Sequence, residues 1–123
     1  MGGIQTFQDL LVWQKAHHQT LQIYKLTEYN PKHELFGLTS QIRRAMASVP
    51  ANVVEGFRRQ GLKDSLRFYN NADASLEEVK YHLLLMKDLQ YITDDQYKSA
   101  LAGTEEVGKL LTRWIQSQRK FLA

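Results

Sequence analysis

The chain has 123 residues, a length that suits one domain. A formal net charge of +3 and a hydrophobic content of 43% describe a mildly basic chain with enough apolar side chains for a core, which excludes global disorder. The absence of cysteine excludes disulfides, thiolate metal sites and cysteine catalysis, and it is compatible with the reducing cytoplasm, where we expect the protein.

The hydropathy pattern indicates a helical protein without a membrane segment. No apolar run approaches the roughly 20 residues that a membrane-spanning helix needs, so we expect no membrane contact. Only two prolines and long stretches with helical periodicity predict an all-α fold. We predict that residues 1–6 form a flexible N-terminal tail and that residues 7–123 form a single four-helix-bundle domain.

The first helix is predicted from Phe7 or Gln8 to Thr27, because apolar residues recur there every three or four positions. His17 and His18 are adjacent within it. Adjacent helical side chains point about 100° apart, so the two imidazoles do not converge on one metal ion. We therefore predict that they lie at the surface or in an interface.

The second helix is predicted from about His33 to Arg59. Asn30 is predicted to cap it, and Pro31 fits the first helical position. Its apolar residues form two adjacent stripes, which make a face wider than one neighbouring helix requires. The first stripe comprises Leu38, Ile42, Ala45, Val49, Val53 and Gly56, and the second comprises Met46, Pro50, Val54 and Phe57.

Pro50 lies inside this helix and removes one backbone N–H donor, at a cost of about 3 kcal/mol. The helical period continues beyond it, so we predict a kink and not a break. Ser48 and Asn52 are predicted to satisfy freed backbone groups or to bind a neighbouring helix. A catalytic role for Ser48 would need a nearby base, and the sequence pattern supplies none.

Glu55 and Gly56 follow in the same helix, and we predict structural roles for both. Glu55 is either a buried partner of an arginine or an exposed charge. Gly56 has no side chain, so another backbone can approach closely.

The third helix is predicted from about Lys63 to Leu89, after a turn in which Gly61 ends the second helix. Its apolar stripe is the most regular in the chain. Asp73 lies beside that stripe and is predicted to pair with an arginine of the second helix. A solvated face of mixed charge is predicted for Glu77, Glu78, Lys80, Tyr81 and His82.

The fourth helix is predicted to run to about Lys120. Thr93 and Gln96 have the spacing of a capping box at its start. Four long helices with short turns predict an up-down-up-down four-helix bundle, with the proline kink in helix two.

The sequence contains none of the catalytic, phosphate-binding or metal-binding motifs that we considered. It contains no Gly-rich phosphate loop, and the di-iron bundle pattern is absent. We expect no enzymatic activity, no catalytic residues, no metal and no cofactor. The four histidines, which occur in no recognisable catalytic pattern, are His17, His18, His33 and His82.

Four segments carry a family resemblance. QIRRAMASVPANVVEGFRR looks like the signature of the small four-helix-bundle proteins encoded by intervening sequences within bacterial 23S ribosomal RNA genes. FQDLLVWQKAHHQTLQIYKLT, HELFGLTSQ and SLEEVKYHLLLMKDLQYI are similar to the same family, so the resemblance covers about residues 7–92. That family is also similar to the accessory proteins of diversity-generating retroelements.

The resemblance implies assembly and partners that the residue pattern alone does not. Members form ring-like homopentamers, and the retroelement accessory proteins bind a reverse transcriptase and nucleic acid through a basic surface. No catalytic residue carries over. The wide apolar face of the second helix and a surplus of aromatic residues suit either subunit contacts or an ordinary core. These aromatic residues are Trp13, Tyr24, Phe57, Phe68 and Trp114.

The leading hypothesis is a non-enzymatic, oligomeric accessory protein that binds RNA or DNA through a positive surface. Arginine forks pair well with phosphates. The alternative for the same side chains is pairing with acids, namely Glu55, Asp73, Glu77 or Glu78. The residues predicted to line the surface are Arg43, Arg44, Arg58, Arg59, Lys63 and Arg67.

The second hypothesis is a protein-interaction scaffold that makes no direct contact with nucleic acid. The two hypotheses predict different surfaces. A basic patch that acids leave unpaired favours nucleic acid. A balanced charge network beside an exposed apolar patch favours a protein partner.

Overall fold

Four helices account for most of the chain in the computed structural model, which describes residues 3–122. They are α1 (Leu11–Leu26), α2 (Leu38–Arg58), α3 (Leu62–Asp88) and α4 (Asp94–Arg119), and no strand occurs among the residues described. Each helix contacts the next one in the chain, and α1 also contacts α4. This closed cycle of neighbours, with short connections, is the predicted up-down-up-down four-helix bundle.

The apolar stripes of the sequence meet in one core. Every member of the first stripe of α2 is buried, as predicted, and in the second stripe Met46 and Pro50 are buried while Val54 and Phe57 are half-buried. The stripe of α3 is buried from Leu66 to Met86. The buried side chains contributed by the flanking helices include Val12, Ala16 and Ile23 of α1 and Val107, Leu111 and Ile115 of α4.

The first helix begins later than predicted. Residues Phe7–Asp9 form a short 3₁₀ turn, and α1 starts at Leu11. The Asp9 carboxylate accepts the backbone N–H groups of Gln5 and Thr6, each at 2.9 Å. The flexibility predicted for residues 1–6 stays a prediction, and Met1 and Gly2 of that tail, like Ala123 at the other end, lie outside the described residues.

The start of α2 was predicted wrongly. The chain forms a 3₁₀ turn over Lys32–Glu34, and the α-helix begins only at Leu38. Asn30 does not cap it, because its side-chain amide donates to Thr39 Oγ1 at 3.0 Å. The Glu34 carboxylate takes over the capping role and accepts the Leu38 N–H at 3.2 Å. It also accepts the Tyr91 hydroxyl at 2.8 Å, which joins this connection to the one between α3 and α4.

Pro50 is buried inside α2, and the helix continues through it without interruption. Ser48 Oγ donates to the carbonyl of Ala45, and Asn52 Nδ2 donates to the carbonyl of Ser48, both at 2.8 Å. These bonds stay within α2 and do not reach the carbonyl that Pro50 frees, that of Met46. The prediction that the two side chains satisfy freed backbone groups or bind a neighbouring helix is therefore wrong for these hydrogen bonds, and the predicted kink stays a prediction.

Gly56 is the point at which α3 comes close to α2. A Cβ at this position would overlap three carbons of the Tyr69 ring, so only glycine leaves the space that the ring occupies. The close approach predicted at Gly56 is therefore confirmed, although a side chain and not a backbone makes it.

The turns around α3 differ from the prediction at one end. Gly61 does not end α2 in a left-handed conformation. It has φ −92° and is the N-cap of α3. The left-handed residue of this region is Gln90 after α3, with φ 64°. The capping box predicted for α4 is confirmed, since Gln96 N–H donates to Thr93 Oγ1 at 3.1 Å and the Thr93 N–H donates to Gln96 Oε1 at 2.9 Å.

The contact between α1 and α4 contains a buried polar pair. Gln19 Nε2 donates to Thr104 Oγ1 at 3.1 Å and to the Ala100 carbonyl at 3.0 Å. Thr104 is fully buried, and a side chain at Gly103 would overlap the Gln19 amide. The absence of a side chain at Gly103 is thus what makes room for Gln19.

Candidate nucleic-acid interface

The six predicted cations lie in two groups along α2 and the start of α3. Arg43 and Arg44 belong to the first half of α2, whereas the other four surround the turn between α2 and α3. Arg58 follows Arg44 by 14 residues, which is about 21 Å of helix. Fourteen residues make nearly four full turns, so Arg44 and Arg58 lie on the same side of α2.

Arg43 is used to hold the bundle together. Its Nε donates to Thr27 Oγ1 at 2.8 Å, and its Nη2 donates to the carbonyl of Tyr24 at 3.2 Å. The guanidinium carbon also lies 4.7 Å from the centre of the Tyr24 ring. Arg43 therefore joins α2 to the end of α1, and two of its five N–H donors are used in that contact.

Arg59 and Arg67 are held by acids at the turn. Arg59 pairs with Glu55 one turn earlier, and its Nε lies 3.8 Å from Asp64. Arg67 donates to Asp64 Oδ1 at 2.8 Å. Both guanidinium carbons also lie over one ring, that of Phe68, at 4.5 and 4.4 Å from its centre.

Arg44, Arg58 and Lys63 are the cations that remain open to a ligand. All three are exposed, and none lies within ion-pair distance of an acid among residues 3–122. The charge of this part of the chain is unbalanced, because residues 34–67 contain six Lys and Arg residues, the six predicted cations, and three acids, Glu34, Glu55 and Asp64. The result is a locally positive edge of the bundle, lined by Arg44, Arg58 and Lys63, which we call the basic edge.

The acids of α3 do not neutralise this edge in the way predicted. Glu77 pairs with Lys80 at 3.1 Å. Asp73 forms no ion pair within the described part of the chain, so its predicted pairing with an arginine of α2 is wrong. The partner that sequence reasoning missed is Asp64, which precedes Arg67 by three residues, a spacing that favours a pair on a helix.

His82 was also placed wrongly. It is buried, and its Nε2 lies 3.2 Å from Glu78 Oε2. Position 82 comes three residues after the buried Val79 and so continues the inward side of α3, where the prediction had a solvated face. No three His, Asp or Glu side chains come together as a metal site within residues 3–122.

The connection between α1 and α2 exposes an apolar surface that the sequence did not single out. Phe36 is 93% exposed, and the adjacent Leu35 is also exposed. Tyr29 and Leu89, at the same end of the bundle, are exposed as well. Exposed apolar side chains gathered in one region are typical of a contact with another molecule. We call Tyr29, Leu35, Phe36 and Leu89 the connector surface.

Comparison with known proteins places the chain in a family. The family model of the 23S rRNA-intervening sequence proteins matches residues 8–113. A crystal structure from Bacteroides thetaiotaomicron, described as a protein of unknown function from the S23 ribosomal protein family, superposes with a TM-score of 0.80. It is 29% identical, and the match covers 86% of this chain and 96% of that one. No curated protein matches the chain. No helix in the described part of the chain has the length and apolarity that crossing a membrane requires.

Proposed function

Because the chain belongs to the family of 23S rRNA-intervening sequence proteins, we propose that it is a non-enzymatic accessory protein that binds RNA or DNA through its basic edge. The observation that carries this proposal is that Arg44, Arg58 and Lys63 are exposed and lack an acid partner among residues 3–122. Unpaired cations on one edge attract a polyanion, whereas paired ones are already neutralised.

The paired arginines have a supporting role in this proposal. Arg59 and Arg67 keep their positive charge beside the open cations, and Asp64 and Phe68 fix where they stand. Arg43 contributes charge at the far end but is bound to α1. Binding is therefore expected to depend most on the three open cations and to weaken steeply as salt is added.

We further propose that the chain self-associates through the connector surface. The exposure of Phe36 supports this proposal, because an isolated domain gains nothing from a phenylalanine in water. Five copies is the number that the family resemblance implies. A ring would repeat the basic edge once per subunit, and several weak contacts would then add up to a strong one.

The competing function is a scaffold that holds a partner protein at the connector surface. The same exposure of Phe36 and Leu35 favours it, and the pairs around Asp64 give part of the balanced charge network that it predicts. The two functions separate experimentally, because only nucleic-acid binding depends on Arg44, Arg58 and Lys63.

Fluorescence anisotropy with labelled duplex DNA, single-stranded DNA and structured RNA, over a salt series, tests the proposal. We expect the triple variant Arg44→Ala/Arg58→Ala/Lys63→Ala to bind weakly, with the slope of log K against log salt reduced by about 2 to 3. The matched control removes three exposed cations from α4 and its end, the helix diagonal to α2, in Lys98→Ala/Lys109→Ala/Lys120→Ala. Equal losses in both variants, or no binding by the native chain at low salt, would contradict the proposal.

A further inference from the structure

We infer that an apolar pocket beside Arg58 receives an unpaired base of the bound nucleic acid, so that the ligand of the basic edge is single-stranded at this point. This inference rests on the proposed function and deepens it, since it names the class of nucleic acid and the group that is recognised. The pocket has a volume of about 350 Å³ and lies between residues 5–7 of the N-terminal segment and the last turn of α2.

The walls of the pocket are mostly apolar and partly aromatic. Phe7 stands on one side, and Val54 and Phe57 of α2 stand on the other. All three side chains are half-buried, so each keeps apolar surface in contact with water, and the pocket gathers that surface in one place. A flat aromatic guest would cover it and touch the phenylalanine rings, which is how proteins that bind single strands hold individual bases.

The two phenylalanines are held in place without a ligand. Phe7 packs edge to face on Trp13, with 5.0 Å between the ring centres. The backbone before it is fixed by Asp9, whose carboxylate accepts two N–H groups of residues 5 and 6. Phe57 belongs to α2 and packs against the core. Because the walls need little ordering, more of the free energy of contact remains available for binding.

The charge at the pocket selects an anionic guest. Arg58 lines it and has no acid partner within residues 3–122. Glu55 lines it as well, but its carboxylate is paired with Arg59. The charge left without a partner is that of Arg58, so the pocket suits an apolar group that carries a phosphate beside it. A nucleotide is such a group, with the base in the pocket and the phosphate on the guanidinium.

The size of the pocket and the polar groups at its edge favour a single unpaired base. Ligand sites usually measure about 300–1,000 Å³, so this pocket takes one small group and not a length of chain. A base within a duplex is paired and stacked and would first have to be turned out. Gln5 and Thr6 are exposed at the pocket and offer an amide and a hydroxyl to the polar edge of a base.

The test compares two strands of equal charge, one with bases and one without. Labelled single-stranded DNA of about 12 nucleotides is bound to the intact protein and displaced by the same unlabelled strand or by an abasic strand of equal length. A base in the pocket predicts that the abasic strand competes about ten-fold less well.

A pocket-filling variant locates the contact. Val54→Phe places a ring in the pocket and should reduce the preference for the strand with bases to about two-fold or less. Ala102→Phe is the matched control, because it adds the same ring at an exposed position of α4, the helix diagonal to α2. It should keep the preference of the native chain. Circular dichroism shows whether both variants fold, and the comparison of the two strands on the native chain needs no variant.

The outcomes separate this inference from the proposed function. If the abasic strand competes with the native chain within about two-fold of the normal strand, no base is recognised and the inference is overturned, while nucleic-acid binding stands. A folded Val54→Phe that keeps the full preference would place the base contact elsewhere and overturn the inference too. If no labelled strand binds at low salt, the proposed function fails together with the inference.

Discussion

The ring of Tyr69 on α3 occupies the space that a side chain at Gly56 on α2 would need. Tyr69 is buried, and its ring also meets that of Trp114 on α4 edge to face, with 6.0 Å between the ring centres. One glycine thus lets three helices share a single aromatic contact.

We predict that Gly56→Ala destabilises the protein by about 1–3 kcal/mol, because the new methyl group overlaps a ring that is packed from both sides. Urea unfolding followed by circular dichroism measures the change. Gly108→Ala is the matched control. Its new Cβ would lie 4.0 Å from the nearest atom, Leu76 Cδ1, so the higher helix propensity of alanine should stabilise α4 by up to about 1 kcal/mol. A stabilising Gly56→Ala would contradict this account of the α2–α3 contact.

Gln90 offers a stabilising substitution. It follows α3 with φ 64°, and the next residue, Tyr91, donates its N–H to the Met86 carbonyl at 2.9 Å, which is the bond of a Schellman motif. Glycine adopts this left-handed conformation without steric cost, so Gln90→Gly should raise the free energy of unfolding by about 1 kcal/mol. Thermal melts of the variant and of the native chain test this, with Gln60→Gly as an exposed control outside the motif. An unchanged or lower melting temperature would argue against it.

The Glu34–Tyr91 hydrogen bond predicts how stability responds to acid. The Tyr91 hydroxyl and then the Leu38 N–H hold the pKa of Glu34 below its ordinary value of 4.5. A lowered pKa in the folded state means that the folded chain favours the carboxylate. The contribution is present above the ordinary pKa and is lost as the pH falls through the folded one.

We therefore expect Tyr91→Phe to lose part of its stability at neutral pH and to lose less than the native chain on acidification. Urea midpoints measured between neutral and acidic pH give both curves. Glu34→Gln is the companion variant, since it removes the titrating group itself. Parallel pH curves for the native chain and Tyr91→Phe would show that the hydroxyl does not act on Glu34.

The pKa of Tyr91 is raised by the same hydrogen bond, the Glu34 partner being the larger cause and burial the smaller. Its effect on the pH dependence of stability is opposite in sign to that of Glu34. This contribution is present below the ordinary value of 10.0 and is lost as the pH rises through the folded pKa.

Phe36→Ser should reduce self-association without affecting the fold. The side chain is 93% exposed, so its removal should change the unfolding free energy by less than about 0.5 kcal/mol. Light scattering after gel filtration should show a smaller particle than the native chain forms at equal concentration. Phe121→Ser removes another exposed phenylalanine near the end of the chain and should leave the particle size unchanged. Native-size particles from Phe36→Ser would exclude the connector surface as the subunit contact.

The sequence was sufficient to predict the fold because α2 and α3 have regular apolar stripes, and residues such as Ile42 and Leu83 are buried where the period places them. It was insufficient for the start of α2, where Glu34 accepts a hydrogen bond from Tyr91, 57 residues away in the chain. No local pattern contains such a partner, and the helix begins where that contact allows it.

The candidate site likewise contains features that a local sequence pattern predicts and features that depend on tertiary packing. The pair Asp64–Arg67 has a spacing of three and could have been predicted from the sequence alone. The binding of Arg43 by Thr27 and Tyr24 could not, because it depends on how α1 and α2 pack. Phe36 lies within the helix predicted from His33 but in neither of its apolar stripes, so the pattern of apolar residues carried no signal for its exposure before the start of α2.

The Gln19–Thr104 hydrogen bond has a consequence for the alignment of α1 and α4, the first and last helices of the chain. Apolar side chains of similar size can exchange partners when one helix slides past another by a turn, at little loss of buried area. A buried amide that donates to another helix cannot, because a slip of one turn takes the Gln19 amide away from Thr104 Oγ1 and the Ala100 carbonyl and leaves it without a partner in a dry interior. The first and last helices are separated by 85 positions at this contact and have no turn to join them. This buried polar contact therefore sets the axial register of α1 against α4, and with it the closure of the bundle.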